Sequence, residues 1–391
     1  MSYTKEKSLK SRILAIALAA ALAVTGAFSF AGFTGADEAQ AAVKSVKMNR
    51  VSSRSIVFQD QELRGLWVGF CDFYALGLSN KSEKTFTKNA KKLMKNAKKN
   101  GCNVIFFHVR AFDDASWKSK KFPASKYLTS RASRSKSAYK TYSYDPLEIM
   151  IREAHAKGLE LHAWMNPYRI TQSTYLDPAK LSSRNRVLKA IKELQEYDID
   201  GIHFDDYFYH GKRYVKSSKR SKRYKVRISA KKKRQNVNKL IKAAYKQTHK
   251  QYGVAFGVSP QGNYENDMND GADVKTWLRS SGYIDYLIPQ IYWSDKWGSR
   301  GKVKMYTQRL KQFMGMKRAP GVKMYIGLAL YRTGIRAYDD KGWKKSSYNM
   351  KNQVKKLRAK GADGYSLFSA PDLTKKHAKA ELKHLRQYLG L

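Results

Sequence analysis

The chain has 391 residues, of which 42% are apolar and 13% aromatic, with two cysteines and a formal charge of +46. That content excludes disorder as the dominant state and a disulfide-stapled mini-protein, and it suffices for one large core or two smaller ones. The charge calls for an anionic partner or an unusual milieu.

At the N-terminus, Lys5, Lys7, Lys10 and Arg12 precede the apolar run "ILAIALAAALAVTGAFSFAG", and the small-residue site Ala39-Gln40-Ala41 follows. This predicts an export signal over residues 1–41 with cleavage after Ala41; an uncleaved membrane anchor is the alternative. Residues 42–60 read as a polar lead-in, and residues 61–391 as the folded unit.

Eight short apolar segments then recur roughly 33 to 56 residues apart, each of the length of a buried parallel strand. They begin at Gly65 ("GLWVGF"), Asn103 ("NVIFFHV"), Leu159 ("LELHAWM") and Gly201 ("GIHFDDY"), then at Gly253 ("GVAFGVS"), Tyr286 ("YLIPQIY"), Met324 ("MYIGLAL") and Gly364 ("GYSLFSA"). Amphipathic helix patterns lie between them, several closing on glycine, as at Gly101, Gly158 and Gly361. Asp145-Pro146 opens one as N-cap and first helical residue. Eightfold β/α alternation predicts a (β/α)8 TIM barrel. A doubly wound sheet is the alternative, but no glycine-rich phosphate loop follows the first segment. Cys71 lies after the first segment and Cys102 before the second, at opposite ends of a parallel barrel, so two free thiols are expected. Their spacing to the histidines matches no zinc pattern, and neither metal nor other cofactor is expected.

Side chains at i and i+2 of a strand share a face. In "GIHFDDYFYH", Ile202 and Phe204 form an apolar outer set, which turns His203, Asp205 and Tyr207 toward the barrel axis and leaves Asp206 outward or in the following turn. The same sorting collects His108 and Arg110, then Trp164 and Asn166 with Tyr168 and Arg169 just beyond, then Ser259, Gln290 and Tyr292. Trp67 supplies an apolar wall. Each has a plain core reading, with Arg110 neutralising Asp205 and the tryptophans packing, yet so many polar groups at one end call for a ligand or water. Rings from Trp67, Trp164, Tyr168, Tyr207, Tyr292 and Trp293 beside carboxylates and amides suit a carbohydrate. Asp205 is the principal catalytic candidate; a second acid would come from Asp206, Asp114, Glu265 or Asp295. A lysine- and arginine-rich run from Lys212 to Arg234 contains no acid and falls in the loop after the fourth segment, at the mouth rim. An exported protein meets anionic wall polymers and lipids before nucleic acid, so a wall polymer is the expected polyanion; a solvated surface is the plain alternative. Oligomeric state is not legible.

The segments "RGLWVGF", "HVRAFDDASW", "YDPLEIMIREAHAKGLELHAWMNPYRI", "YDIDGIHFDDYFY", "GVSPQGN" and "YIDYLIPQIYW" resemble glycosyl-hydrolase-like family 10, also called domain of unknown function family 187, in family order. The resemblance implies an exported (β/α)8 glycosidase acting on bacterial envelope glycans, with motif positions at Arg110, Asp114, Asn166, Tyr168, Arg169, His203, Asp205, Asp206, Gln290 and Tyr292. Ala111 and Asp113 replace a usual proline and glycine, and "SPQGNYEN" lacks a usual aromatic and arginine. "DGIHFDDY" also looks like the strand-four signature of family 18 chitinases, with Asp205 on the residue that orients the substrate acetamido group and Tyr292 like the assisting tyrosine. The proton-donor position is Tyr207, however, so a faithful copy of that mechanism is ruled out. A non-catalytic glycan-binding barrel and a polyanion-binding wall protein remain as alternatives.

Overall fold

A computed structural model describes residues 54–209, 213–215 and 227–391. The expected export signal and most of the expected lead-in lie outside the described residues, as does most of the stretch from His210 to Val226. Among the described residues, no helix is long and apolar enough to cross a membrane.

Eight parallel strands close into a barrel. They are β1 (Leu63–Val68), β2 (Val104–Arg110), β3 (Glu160–Met165), β5 (Gly201–Phe204), β7 (Ala255–Val258), β8 (Tyr286–Leu287), β9 (Lys323–Leu328) and β10 (Gly364–Leu367). Their order round the ring is β1-β10-β9-β8-β7-β5-β3-β2. Every apolar segment singled out in the sequence supplies one stave. Two further strands, β4 (Thr174–Leu176) and β6 (Arg213–Val215), were not expected; they pair in parallel as a small separate sheet.

Helices cover the barrel for the reasons their sequences give. In Glu83–Lys99 the buried residues Phe86, Ala90, Leu93, Met94 and Ala97 recur at helical spacing and leave the lysines outside. Asp145 caps Pro146–His155 by accepting the Leu147 and Glu148 N–H groups, and Gly158, with φ +62°, reverses the chain into β3.

The core has two parts. Between barrel and helices lies a continuous apolar layer that includes Phe107, Met165, Phe204 and Phe256. Inside the barrel, Trp67, Phe106, Trp164, Tyr286 and Tyr325 fill the axis. Glycines admit these large groups: a Cβ at Gly201 would meet His162 Nδ1 at 2.3 Å, and one at Gly257 would meet the Tyr286 ring at 2.1 Å. The Tyr286 hydroxyl lies between His162 Nδ1 (2.8 Å) and His203 Nδ1 (3.0 Å), a polar contact inside the barrel. Ile56 and Val57, within the expected polar lead-in, are buried in this inner core, and the Ile56 N–H donates to Glu160 Oε1. The packed unit therefore begins before residue 61.

Candidate active site

The end of β5 sets the chemistry. The Asp205 N–H continues the ladder to the Met165 carbonyl at 3.1 Å, and the next N–H, that of Asp206, turns onto Asp205 Oδ1 at 2.9 Å. Strand alternation stops at Phe204. Of the two readings for Asp206, outward or in the following turn, the turn holds, and it brings the Asp206 carboxyl against that of Asp205. Gln290 Nε2 donates to Asp205 Oδ1 at 3.1 Å and to the Ser259 carbonyl at 3.2 Å. The Ser259 hydroxyl itself is taken up by the Ile288 carbonyl.

Burial holds both carboxyls above the ordinary range; the neighbouring Asp206 charge adds to this at Asp205, and Asp270 adds at Asp206. Arg169 opposes the shift at both without cancelling it. The pair thus behaves as a proton-sharing unit. Burial and Asp205 likewise push the Tyr292 hydroxyl up, keeping it neutral beside the pair.

The surrounding mouth combines rings with unpaired polar atoms. Arg169 lies over Tyr207 at 4.1 Å and over Phe112 at 4.9 Å. His108 stacks on Trp164 with centroids 3.6 Å apart, and burial holds it neutral. Asn166 Nδ2 holds the Ala111 carbonyl at 2.9 Å, fixing the loop after β2. Both His108 ring nitrogens, Trp164 Nε1, Asn166 Oδ1, Arg169 Nε and His203 Nε2 are buried and make no hydrogen bond within the protein. Leaving such atoms unmatched costs about 1–3 kcal/mol each, so they call for a partner such as water or a polar ligand. Trp293 is half-buried over Gly262, where a Cβ would come within 2.5 Å of its ring.

Two expected ligands belong elsewhere. Arg110 has the parity of His108, but a register shift between them pairs His108 with Trp164 and Arg110 with outward-facing Met165. A bulge has turned it to the helix side. There it donates to the Asn166 and Pro167 carbonyls, both at 2.9 Å, and to Asp113 Oδ1 at 2.5 Å, while Arg186 grips Asp113 from the other side. It is a buried clamp and does not neutralise Asp205. Tyr168 is fully buried in the outer apolar layer, near Tyr209 and Asp177, and forms no platform at the mouth.

The expected second acids also separate. Asp114 accepts the Phe112 N–H at 2.8 Å, and its charged neighbours are Arg110 and Asp113; burial pushes it up to about 6. Glu265 is exposed. Burial alone would raise Asp295, but Lys356 and Thr307 outweigh it and lower the carboxyl. Asp206 alone of the four adjoins Asp205. Sequence reasoning missed Asp72 after β1 and Asp372 after β10, which lie past the last strand residue, where alternation gives no direction. Among the described residues, no group of three or more His, Cys, Asp or Glu side chains could hold a metal ion.

A closed (β/α)8 barrel with paired acids and aromatic rings at its C-terminal mouth defines a glycosidase-like protein. The chain belongs to the glycosyl hydrolase-like 10 family, which matches residues 62–174 and 169–345. It is 29% identical over 371 residues to glycosyl hydrolase YngK of Bacillus subtilis (strain 168), covering 81% of this chain and 69% of that one. It is 26% identical over 347 residues to glycosyl hydrolase DigH of Escherichia coli (strain K12), covering 72% and 76%. Among solved structures, a family 18 chitinase from Cycas revoluta superposes with a TM-score of 0.51 at 10% identity, over 84% of this chain and 100% of that one. The likeness to the chitinase is one of fold.

Proposed function

We propose that the protein hydrolyses O-glycosyl bonds in a bacterial envelope glycan of N-acetylated sugars, with peptidoglycan strands as the substrate class. The observation that carries this reading is the Asp205–Asp206 pair at the end of β5, with Asp205 buried and Asp206 half-buried, fixed by Gln290 and flanked by rings and unpaired polar atoms. Paired acids supply the proton transfer and charge stabilisation that glycosidic cleavage requires. Trp164, Tyr207, Tyr292 and Trp293 offer faces for sugar rings, while His108, Asn166, Arg169 and His203 present atoms to hydroxyl and acetamido groups. The supporting family membership and relatives are those of glycosyl hydrolases.

Export and attachment to an anionic wall polymer are part of the same proposal. The N-terminal pattern favours export, and the charge is displayed outward: Lys84, Lys88, Lys91, Lys92, Lys95, Lys98 and Lys99 are all exposed along one helix.

The test is incubation of the purified protein with glycan strands stripped of their peptides, reading released sugars by mass spectrometry, with Asp205→Asn as control. Product from the wild type and none from the variant is expected. A second reading, a glycan-binding barrel without turnover, is favoured by Tyr207 standing at the chitinase proton-donor position with its ring against Arg169. Saturable binding of the strands with no product would establish it.

A further inference from the structure

A second carboxyl pair follows the ends of β1 and β10. In the closed ring β10 stands four strands from β5 in either direction and β1 stands three, so the segments leaving them lie across the barrel from Asp205. Asp72, in the short turn Phe70–Asp72 after β1, accepts the Gly69 N–H on Oδ2 at 3.0 Å and the Ser369 hydroxyl on Oδ1 at 3.3 Å. That hydroxyl also lies 3.5 Å from Asp372 Oδ2. Ser369 has one hydrogen to give, so two carboxyls compete for a single donor, and a proton on one of them relieves the conflict.

The surrounding charges decide which. Asp372 is gripped by Lys375 at 2.9 Å and by His377 at 3.1 Å. Asp72 forms no ion pair among the described residues, and burial raises its carboxyl. The other titratable groups against it are Cys71 on its own turn and, from the segment after β10, Asp372 and Lys375, with His377 behind.

Asp72 also lies on the Trp164 side of its turn. A Cβ at residue 69 would lie 3.3 Å from Asp72 Oδ2 and 3.6 Å from Trp164 Cζ3, so glycine leaves open the gap between that carboxyl and the indole. Trp164 and the stacked His108 carry buried, unpaired nitrogens in the floor of the same mouth.

We propose that Asp72 is the proton donor to the leaving group, acting from the wall opposite the Asp205–Asp206 pair. The inference rests on the hydrolase reading of the mouth and supplies the acid that Tyr207 does not. The Asp72 proton passes to the glycosidic oxygen as the C1–O bond breaks and the bonding electrons leave with that oxygen. A water oxygen ends bonded to C1, its proton passes to the ionised member of the Asp205–Asp206 pair, and exchange with solvent restores both sites.

Leaving groups separate this role from others, because a dinitrophenolate departs without a proton. Asp72→Asn is expected to lose at least ~10²-fold in kcat on chitotetraose, but under ~10-fold on the 2,4-dinitrophenyl glycoside of chitobiose. Asp205→Asn should lose on both. Equal losses on the two substrates, or none, in a folded Asp72→Asn protein would overturn the assignment while leaving the hydrolase reading intact. A wild type inert on both sugars and on stripped strands would overturn the hydrolase reading, and the role of Asp72 with it. Should Asp72→Asn fail to fold, Ser369→Ala gives the answer. Loss of a hydroxyl that favours the charged form should move the basic limb of kcat/KM to higher pH, and an unmoved limb would overturn the proposal.

Discussion

Gln290 Nε2 gives one hydrogen to Asp205 Oδ1 at 3.1 Å and the other to the Ser259 carbonyl at 3.2 Å. Both donors of the amide are thereby engaged, so the Asp205 carboxyl is held by a group that cannot rotate away without losing two bonds. Gln290→Leu keeps the approximate bulk and removes the donor. It is expected to lower kcat on stripped glycan strands by about 10²-fold, with little change in thermal midpoint. Full activity in this variant would show that Asp205 is oriented by other contacts.

Asp205 and Asp206 titrate above their unfolded values, and the sign of the pH effect follows. The native state keeps protons that the unfolded chain releases near pH ~4, so the contribution to stability is complete below that value and is lost as pH rises through the native values. A neutral amide at either position removes one raised group and, at Asp206, also the neighbouring charge that raises Asp205. Asp205→Asn should therefore be inactive yet gain thermal stability over the wild type as pH is raised from 5 to 8. Asp206→Asn should behave alike, because the turn after Phe204 places both in one unit. Melting curves at the two pH values check this, and a difference from wild type that does not change with pH would exclude a shared, buried titration.

The barrel was legible because its staves are short apolar runs at recurring intervals with helix patterns between them, several of which close on glycine. The inward face of those strands was legible where alternation held, as for His108, Trp164 and His203. Alternation failed at Arg110, where one bulge exchanges the faces, and it ended at Asp206, where the following turn replaces the strand. The bulge has no marker in the local sequence. The contact of Asp72 with Ser369 was invisible for a related reason: both follow strand ends, and only closure of the ring brings them together.

Arg110 serves the fold. Its guanidinium is fully buried between two carbonyls and Asp113, so Arg110→Ala leaves a buried carboxylate with Arg186 alone. Breaking one side of such a buried pair costs about 3–5 kcal/mol. Arg110→Ala should show a large fall in denaturation midpoint, and its residual native fraction should bind glycan with unchanged affinity. A variant of normal stability with weakened binding would return Arg110 to the mouth.

Tyr168 and Trp164 separate packing from recognition. The Tyr168 hydroxyl is buried without a hydrogen-bond partner, so Tyr168→Phe should be neutral or slightly stabilising and leave glycan binding unchanged. Trp164 borders the mouth and stacks on His108; Trp164→Phe keeps a ring while removing its N–H, and should weaken binding of a glycan oligomer in calorimetry. Weaker binding on Tyr168→Phe, or none lost on Trp164→Phe, would reverse these roles.

Retention on the wall and bond cleavage should be separable. The basic run begins at Lys212 in the connection between β5 and the helix Ala230–Thr248, a connection of the kind that opens on the catalytic face of a barrel. It contains no acid, so its charge is not offset within the run, and it should draw polyanions over about a Debye length, ~8 Å at physiological salt. Replacing the lysines and arginines from Lys212 to Arg227 by Ser or Gln, while sparing Lys231 to Arg234 in the first turns of the helix, is expected to release the protein from isolated cell walls at low salt. Hydrolysis of a short neutral glycan should persist. Co-sedimentation with walls across a salt series, beside turnover of chitotetraose, measures both. Salt-insensitive retention in the variant would place wall attachment on another surface, and lost turnover with an intact fold would mean that this connection shapes the mouth itself.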